Sequence, residues 1–210
     1  MTGPRLASVN VGAVRTIEWF GREVTTAIWK DPVEGPVAIT GVNLAGDDQA
    51  DRRVHGGAEK AVYAYAVEDY AWWAEHAGGR FEPGTFGENL TTEGLDVTAS
   101  SIGDRWAVGT AVLEVCQPRE PCFKLGIRMG DSGFPDRFEA ARRPGAYLRI
   151  VTEGAVSTGD AVVVRPTTGP IVTLGQLVGP ELDRSVLEVI ADDPRIAEGW
   201  RRRAARLLRS

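Results

Sequence analysis

Trp106-Ala-Val-Gly-Thr-Ala-Val-Leu-Glu-Val-Cys-Gln-Pro118 reads as a β-strand run that stops at a proline. β-Branched residues recur along it, and Pro118 cannot donate to a ladder. Similar short runs flank it. Downstream lie Ala146-Tyr-Leu-Arg-Ile-Val151 and Ala161-Val-Val-Val-Arg165. Upstream lie Ala61-Val-Tyr-Ala-Tyr65 and the alternating Val37-Ala-Ile39-Thr, headed by Pro32, Gly35 and Pro36. This density of short strands cut by turns predicts a mainly antiparallel β architecture, a barrel or a sandwich.

Two helices interrupt the strands. Glu68 to His76 places Tyr70, Trp73, Ala74 and Ala77 on one face, and Phe134 to Arg142 is stopped by Pro144 and Gly145. The pattern changes after Arg165-Pro-Thr-Thr-Gly-Pro170. Thr173 is placed to cap a short helix running to Val178. Leu182, Val186 and Ile190 then share a face, as do Ile196, Trp200, Ala204 and Leu208. The expected organisation is a strand-rich domain over 1–168 and a three-helix unit over 169–210.

The composition narrows the class. The chain has 210 residues, 43% hydrophobic and 25% charged, as in ordinary globular domains, which excludes a disordered chain. The net charge of −5 gives no reason to expect nucleic acid as a partner. Residues 195–210 nevertheless hold six arginines and one glutamate, either a solvated helix face or a docking face for an acidic reductase or a second subunit. No apolar run approaches the roughly 18 residues of a membrane span. No secretory signal is read in the first residues, and two cysteines do not make a disulfide scaffold, so a cytoplasmic protein is expected.

Three segments carry chemistry. In Cys116-Gln-Pro-Arg-Glu-Pro-Cys-Phe-Lys-Leu125, two prolines restrain a loop that holds Cys122 between Arg119 and Lys124. Neighbouring cations favour a thiolate, the form that is both nucleophile and soft-metal ligand. Cys116 reads as a structural thiol on the strand. In Arg53-Val-His-Gly-Gly-Ala-Glu-Lys60, Gly56 and Gly57 let backbone N–H groups approach a ligand, His55 can carry a proton near neutral pH, and Lys60 adds charge. In Gly84 to Leu95, a glycine-rich turn presents Glu88 and Asn89, either to a heterocycle or simply as a polar hairpin end.

Together these segments resemble the MOSC family, named for the C-terminal domain of molybdenum cofactor sulfurases, and its stand-alone YiiM-like branch in particular. The resembling residues are Val54–Val62, Phe86–Thr91, Ile102-Gly-Asp104 and Gln117–Leu125, with Ser8–Gly12 and the helical tail also fitting. The resemblance implies a mainly β fold with helices, a MOSC-type β-barrel followed by a small three-helix unit. It implies a bound molybdenum cofactor (molybdopterin), with Cys122 as the metal ligand and His55 as proton carrier. A basic residue from the N-terminal strands is expected to complete the triad. Arg22 matches best, with Arg15 and Lys30 as alternatives. Gly56, Gly57, Lys60, Glu88, Asn89, Gln117, Arg119 and Lys124 are the expected cofactor contacts. The implied activity is reduction of N-hydroxylated compounds such as hydroxylaminopurines, with a flavoprotein supplying electrons. Pyridoxal phosphate binding attaches to the family only as a general label. The alternative reading is a carrier that holds sulfur as a Cys122 persulfide, or the cofactor itself, without its own reductase activity. A Cys116–Cys122 redox pair is a third possibility, at C-x5-C spacing.

Overall fold

The structure is a computed structural model that describes residues 3–49, 57–179 and 182–209. Thirteen strands are formed among them: β1 (Arg5–Val11), β2 (Arg15–Trp19), β3 (Arg22–Thr26), β4 (Asp31–Pro32), β5 (Val37–Thr40), β6 (Asn43–Leu44), β7 (Val62–Ala66), β8 (Leu90–Glu93), β9 (Arg105–Val108), β10 (Ala111–Pro118), β11 (Ala146–Thr152), β12 (Gly154–Val156) and β13 (Val162–Arg165). Six helices accompany them: α1 (Val67–Ala77), α2 (Phe123–Met129), α3 (Phe134–Ala141), α4 (Leu174–Leu177), α5 (Arg184–Asp192) and α6 (Glu198–Leu207).

Eight strands form one sheet in the order β13-β9-β10-β11-β7-β8-β1-β4, and all pairs but one are antiparallel. The parallel pair is β7 with β8, joined through α1. The run beginning at Trp106, read as one strand, is a hairpin. Gly109 at φ 54° turns the chain between Val108 and Ala111, which face each other across β9 and β10.

The sheet is mainly antiparallel as expected, but it does not close into a barrel. Its outer strand β4 has two residues, and Pro32 cannot donate to a further strand. The two flanks still meet: Leu6 N–H donates to Asp160 C=O at 2.9 Å, and Val162 N–H to Pro4 C=O at 2.8 Å.

Strand β7 shows why the centre of the sheet is apolar on both sides. Val62, Ala64 and Ala66 join one hydrophobic cluster, while Tyr63 and Tyr65 join a second. The period of two thus feeds two cores. The first core takes in Trp106, Leu113 and Leu148 of the sheet with Leu174, Ile190 and Trp200 of the C-terminal helices. The second is aromatic. Phe86 lies 4.6 Å from Tyr65 and 5.4 Å from Tyr70, under α1 and α3.

The break expected near 166–170 falls between β13 and α4. Thr173 caps α4 as read, with a full capping box to Gln176. Helix α1 also forms where expected, but it buries Tyr70, Trp73 and Asp69, while Ala74 and Ala77 face solvent. Asp69 is held by Arg143 at 2.5 Å. The hairpin of β2 and β3 was not anticipated. It is a separate two-stranded ribbon, with Phe20 80% exposed at its tip.

Two glycines fix the path of residues 29 and 30. A Cβ on Gly12 would collide with the Trp29 carbonyl, and a Cβ on Gly84, at φ 84°, with the Lys30 carbonyl. Gly78 has a similar φ of 71° but open space around it. Gly78→Ala is therefore expected to cost only the backbone strain, about 1 kcal/mol. Gly84→Ala adds a backbone collision and is expected to cost at least about 2–3 kcal/mol. Urea denaturation of the two variants compares them, and equal losses contradict the packing argument.

Candidate active site

A cleft of about 100 Å³ opens where the Pro118–Lys124 loop faces residues 26–30, the 47–49 loop, and β7 and β11. Lys30, Lys60, Arg119 and Lys124 all line it, with Cys122 among them. Cys122 has an extended backbone immediately ahead of α2, and its carbonyl accepts from Leu125 N–H at 2.9 Å.

Arg119 is the most confined cation, only 7% exposed. Its guanidinium lies 4.9 Å from the Tyr63 ring and 5.7 Å from Phe138, and it donates to the Phe86 carbonyl. It forms no ion pair among the described residues. Burial opposes its charge, but the surrounding hydroxyls of Tyr63 and Tyr147 and the Cys122 sulfur hold its pKa above the ordinary value. The cleft thus contains a buried positive charge balanced by polar and polarisable groups instead of a carboxylate.

Lys30 is different. It pairs with Asp47, both nearly inaccessible. Burial pulls the Lys30 pKa below the lysine range, and Asp47 is the main opposing influence. Asp47 also accepts from Gly12 N–H at 2.8 Å and Asn89 Nδ2 at 2.9 Å. Asn89 Oδ1 in turn accepts from Tyr63 N–H at 3.1 Å. Tyr63 donates its hydroxyl to Pro144 C=O at 2.8 Å, and burial keeps it protonated.

Cys116 is the structural thiol expected of it. It is fully buried and donates to the carbonyls of Glu59 at 2.9 Å and Tyr147 at 3.3 Å, and burial pushes its pKa up to about 12. Neither cysteine is in a disulfide. The C-terminal helices reach this wall of the site: Ala197 N–H donates to Cys116 C=O at 3.2 Å, and Glu198 N–H to the Glu59 carboxylate at 3.0 Å.

The family model described as the MOSC domain matches residues 51–163. The chain belongs to the MOSC family. The uncharacterized protein YflK of Bacillus subtilis (strain 168) is 33% identical over 198 residues, 92% of this chain and 90% of that one. A crystal structure of YiiM from Geobacillus stearothermophilus aligns with a TM-score of 0.80 at 30% identity, covering 98% of this chain and 99% of that chain. These likenesses support the YiiM-like branch of the MOSC family. A protein named reductase from Gibberella moniliformis (strain M3125 / FGSC 7600) is 36% identical over 147 residues, 68% of this chain but 26% of that protein.

Of the residues expected to form this MOSC site, the structure brings Lys60, Asn89, Arg119, Cys122 and Lys124 to one cleft. Glu88 lies behind it, fully buried. Its carboxylate accepts from Tyr70, Thr91 at 2.9 Å, and the N–H groups of Gly84 at 2.6 Å and Phe86 at 3.1 Å. Three of those bonds fall on Oε1 and one on Oε2, so the buried carboxylate is committed chiefly to organising the turn. Gln117 is spent on the Glu59 carbonyl at 2.9 Å, and Gly57 N–H on the Gln49 side chain at 3.1 Å. Arg22 sits on the exposed β2–β3 hairpin opposite Trp19, outside the lining of the cleft. Lys30, one of the two alternatives to it, occupies the wall. His55 and Gly56 lie outside the described residues. Asp47, Tyr63 and Tyr147 were missed. Asp47 stands in a Gly-Asp-Asp turn that no spacing distinguishes, and the tyrosines read as ordinary strand residues.

Asp47→Asn leaves the buried Lys30 ammonium without its counter-charge, at an expected cost of about 3–5 kcal/mol near neutral pH. A lysine whose native pKa lies below its unfolded value binds more protons when unfolded, so stability rises with pH. The deficit of the variant should therefore shrink as pH climbs toward 10.5, the ordinary lysine value. Denaturation at several pH values reads this directly, and a pH-independent deficit contradicts it.

Proposed function

We propose that this protein is an oxidoreductase that removes oxygen from N-hydroxylated compounds, hydroxylaminopurines among them, with a molybdenum cofactor held in the cleft at Cys122. The observation that carries the reading is one thiol, Cys122, in a cleft walled by Lys30, Lys60, Arg119 and Lys124.

The donor set fits such a group. Among the described residues no three His, Cys, Asp or Glu side chains come together to hold a bare ion. A metal that arrives with its own ligands needs a single protein thiolate, and a soft, redox-active centre favours sulfur. The pterin carries an anionic phosphate. Arg119 supplies a buried positive charge not claimed by a carboxylate, and Lys60 and Lys124 add two more along the wall. When bound, the cofactor would supply the two-electron chemistry that breaks the N–O bond.

The reaction consumes two electrons and two protons. N–OH becomes N–H, and the oxygen leaves as water. A flavoprotein partner is the proposed source of the electrons. The chain's own residues position the substrate and manage charge. Cys122 Sγ anchors the cofactor. Lys30 Nζ, charge-balanced and pinned by Asp47, would offer a positioned N–H to the departing oxygen. His55 is the proton carrier implied by the MOSC resemblance. The protein named reductase among the relatives supports an oxidoreductase reading.

Protein purified from a host that makes the cofactor should reduce 6-hydroxylaminopurine to adenine with a chemical reductant. Cys122→Ser should lose at least about 100-fold of that rate while remaining folded. Loaded protein that reduces no N-hydroxylated base contradicts the proposal. In that case a gain of about 32 Da on Cys122, one sulfur atom, would favour the carrier reading.

A further inference from the structure

A second cleft, of about 300 Å³, lies on the other side of the Cys122 loop. Its walls come from that loop, from the end of α3, and from α4 and α6. Arg119 and Glu120 line both clefts. The other cations here are Arg142, Arg143 and Arg203, and Pro121, Pro144 and Val178 supply apolar wall.

The ion pairs leave charge over. Arg143 is paired with Asp69 at 2.5 Å, and Arg203 with Glu120 at 3.2 Å. The second pair is exposed and therefore weak enough to yield. Arg119 and Arg142 have no ion-pair partner among the described residues. Glu139, exposed at the rim, is the remaining carboxylate. Trp200, 5% exposed and part of the same wall, has an indole N–H that meets no acceptor among the described residues. Among the described residues, Arg142 is one of two non-glycine residues with positive φ, at 53°, in the left-handed conformation that ends α3. Its N–H caps the helix on the Glu139 carbonyl at 3.1 Å, a role that glycine would fill with less backbone strain.

We infer that this cleft is a binding site for a phosphoryl dianion, either free phosphate or the phosphate of a small phosphorylated metabolite, gripped by Arg142 and Arg203 over the buried Arg119. Arg119 and Arg142, unpaired among the described residues, with Arg203 once it leaves its exposed pair with Glu120, would face the charge of about −1.5 to −2 that a phosphomonoester carries at pH 7. The arginine fork suits phosphate oxygens better than a point charge does. The site does not depend on Cys122, but it shares Arg119 and Glu120 with the first cleft.

The test is calorimetric titration of the purified full chain with ribose 5-phosphate, inorganic phosphate and ribose. The two phosphates should bind and ribose should not. Tighter binding of the ester assigns the site to a phosphorylated metabolite, and equal binding assigns it to the free anion. Arg142→Gly relieves the left-handed strain, so it should keep or raise the melting temperature while weakening phosphate binding about tenfold or more. Arg203→Gln should weaken it as well. Lys60→Gln, in the first cleft, should leave it intact. No binding of either phosphate overturns the inference. So does binding that survives Arg142→Gly and is lost in Lys60→Gln, because that places the anion in the first cleft.

Discussion

The Asp47 carboxylate is the knot on which the candidate active site depends. It takes hydrogen bonds from three separate stretches of chain: Gly12 after β1, Lys30 on the segment after the hairpin, and Asn89 ahead of β8. Asn89 extends the knot to β7 through Tyr63 N–H. Buried ion pairs do little for stability, because desolvation offsets the attraction. What this one provides is position. It holds an ammonium at the wall of a cleft and closes off the alternatives open to a flexible lysine. Gly12 and Gly84 complete the constraint by leaving room for the backbone that carries Lys30.

Against that neutralised pair stands Arg119, buried with aromatic faces and a carbonyl for company. The contrast divides the labour of the site. One cation is locked and charge-balanced within the protein. The other is locked without a carboxylate, which favours negative charge brought by a ligand or developed at Cys122. The same guanidinium reaches the second cleft, so the loop bearing Cys122 separates two clefts that share one buried cation. The C-terminal helices are built into this arrangement. Ala197 and Glu198 bond to Cys116 and Glu59, and α6 contributes Trp200 and Arg203 to the second cleft.

Much of this was legible in the residues. The alternation of Val37–Thr40 and the β-branched runs at 146–151 and 161–165 gave strands where strands occur, and Thr173 with Gln176 gave a helix start. The Pro118–Lys124 loop announced itself, because two prolines around a cysteine and cations are unusual local chemistry. Other features depend on contacts distant in sequence. Glu88 looks like a ligand contact in one dimension, and becomes a turn organiser only when Tyr70 and Thr91 arrive beside it. Asp47 meets Lys30 only after the chain has turned back. Arg22 and Lys30 carry similar charge in the sequence, and the unsupported β2–β3 ribbon is what puts one in solvent and the other in the cleft. The hairpin within Trp106–Pro118 was hidden because Gly109-Thr110 is too brief a break to interrupt a β-rich run.

The proposed function requires Cys122 as the one protein ligand that holds molybdenum in this cleft. Elemental mass spectrometry of molybdenum per chain tests it, on protein made in a cofactor-producing host, with Cys122→Ser prepared in parallel. Near-stoichiometric metal in the native protein and its loss in the folded variant are the predicted result. Equal metal in both, or none in either when the cofactor is abundant, contradicts it.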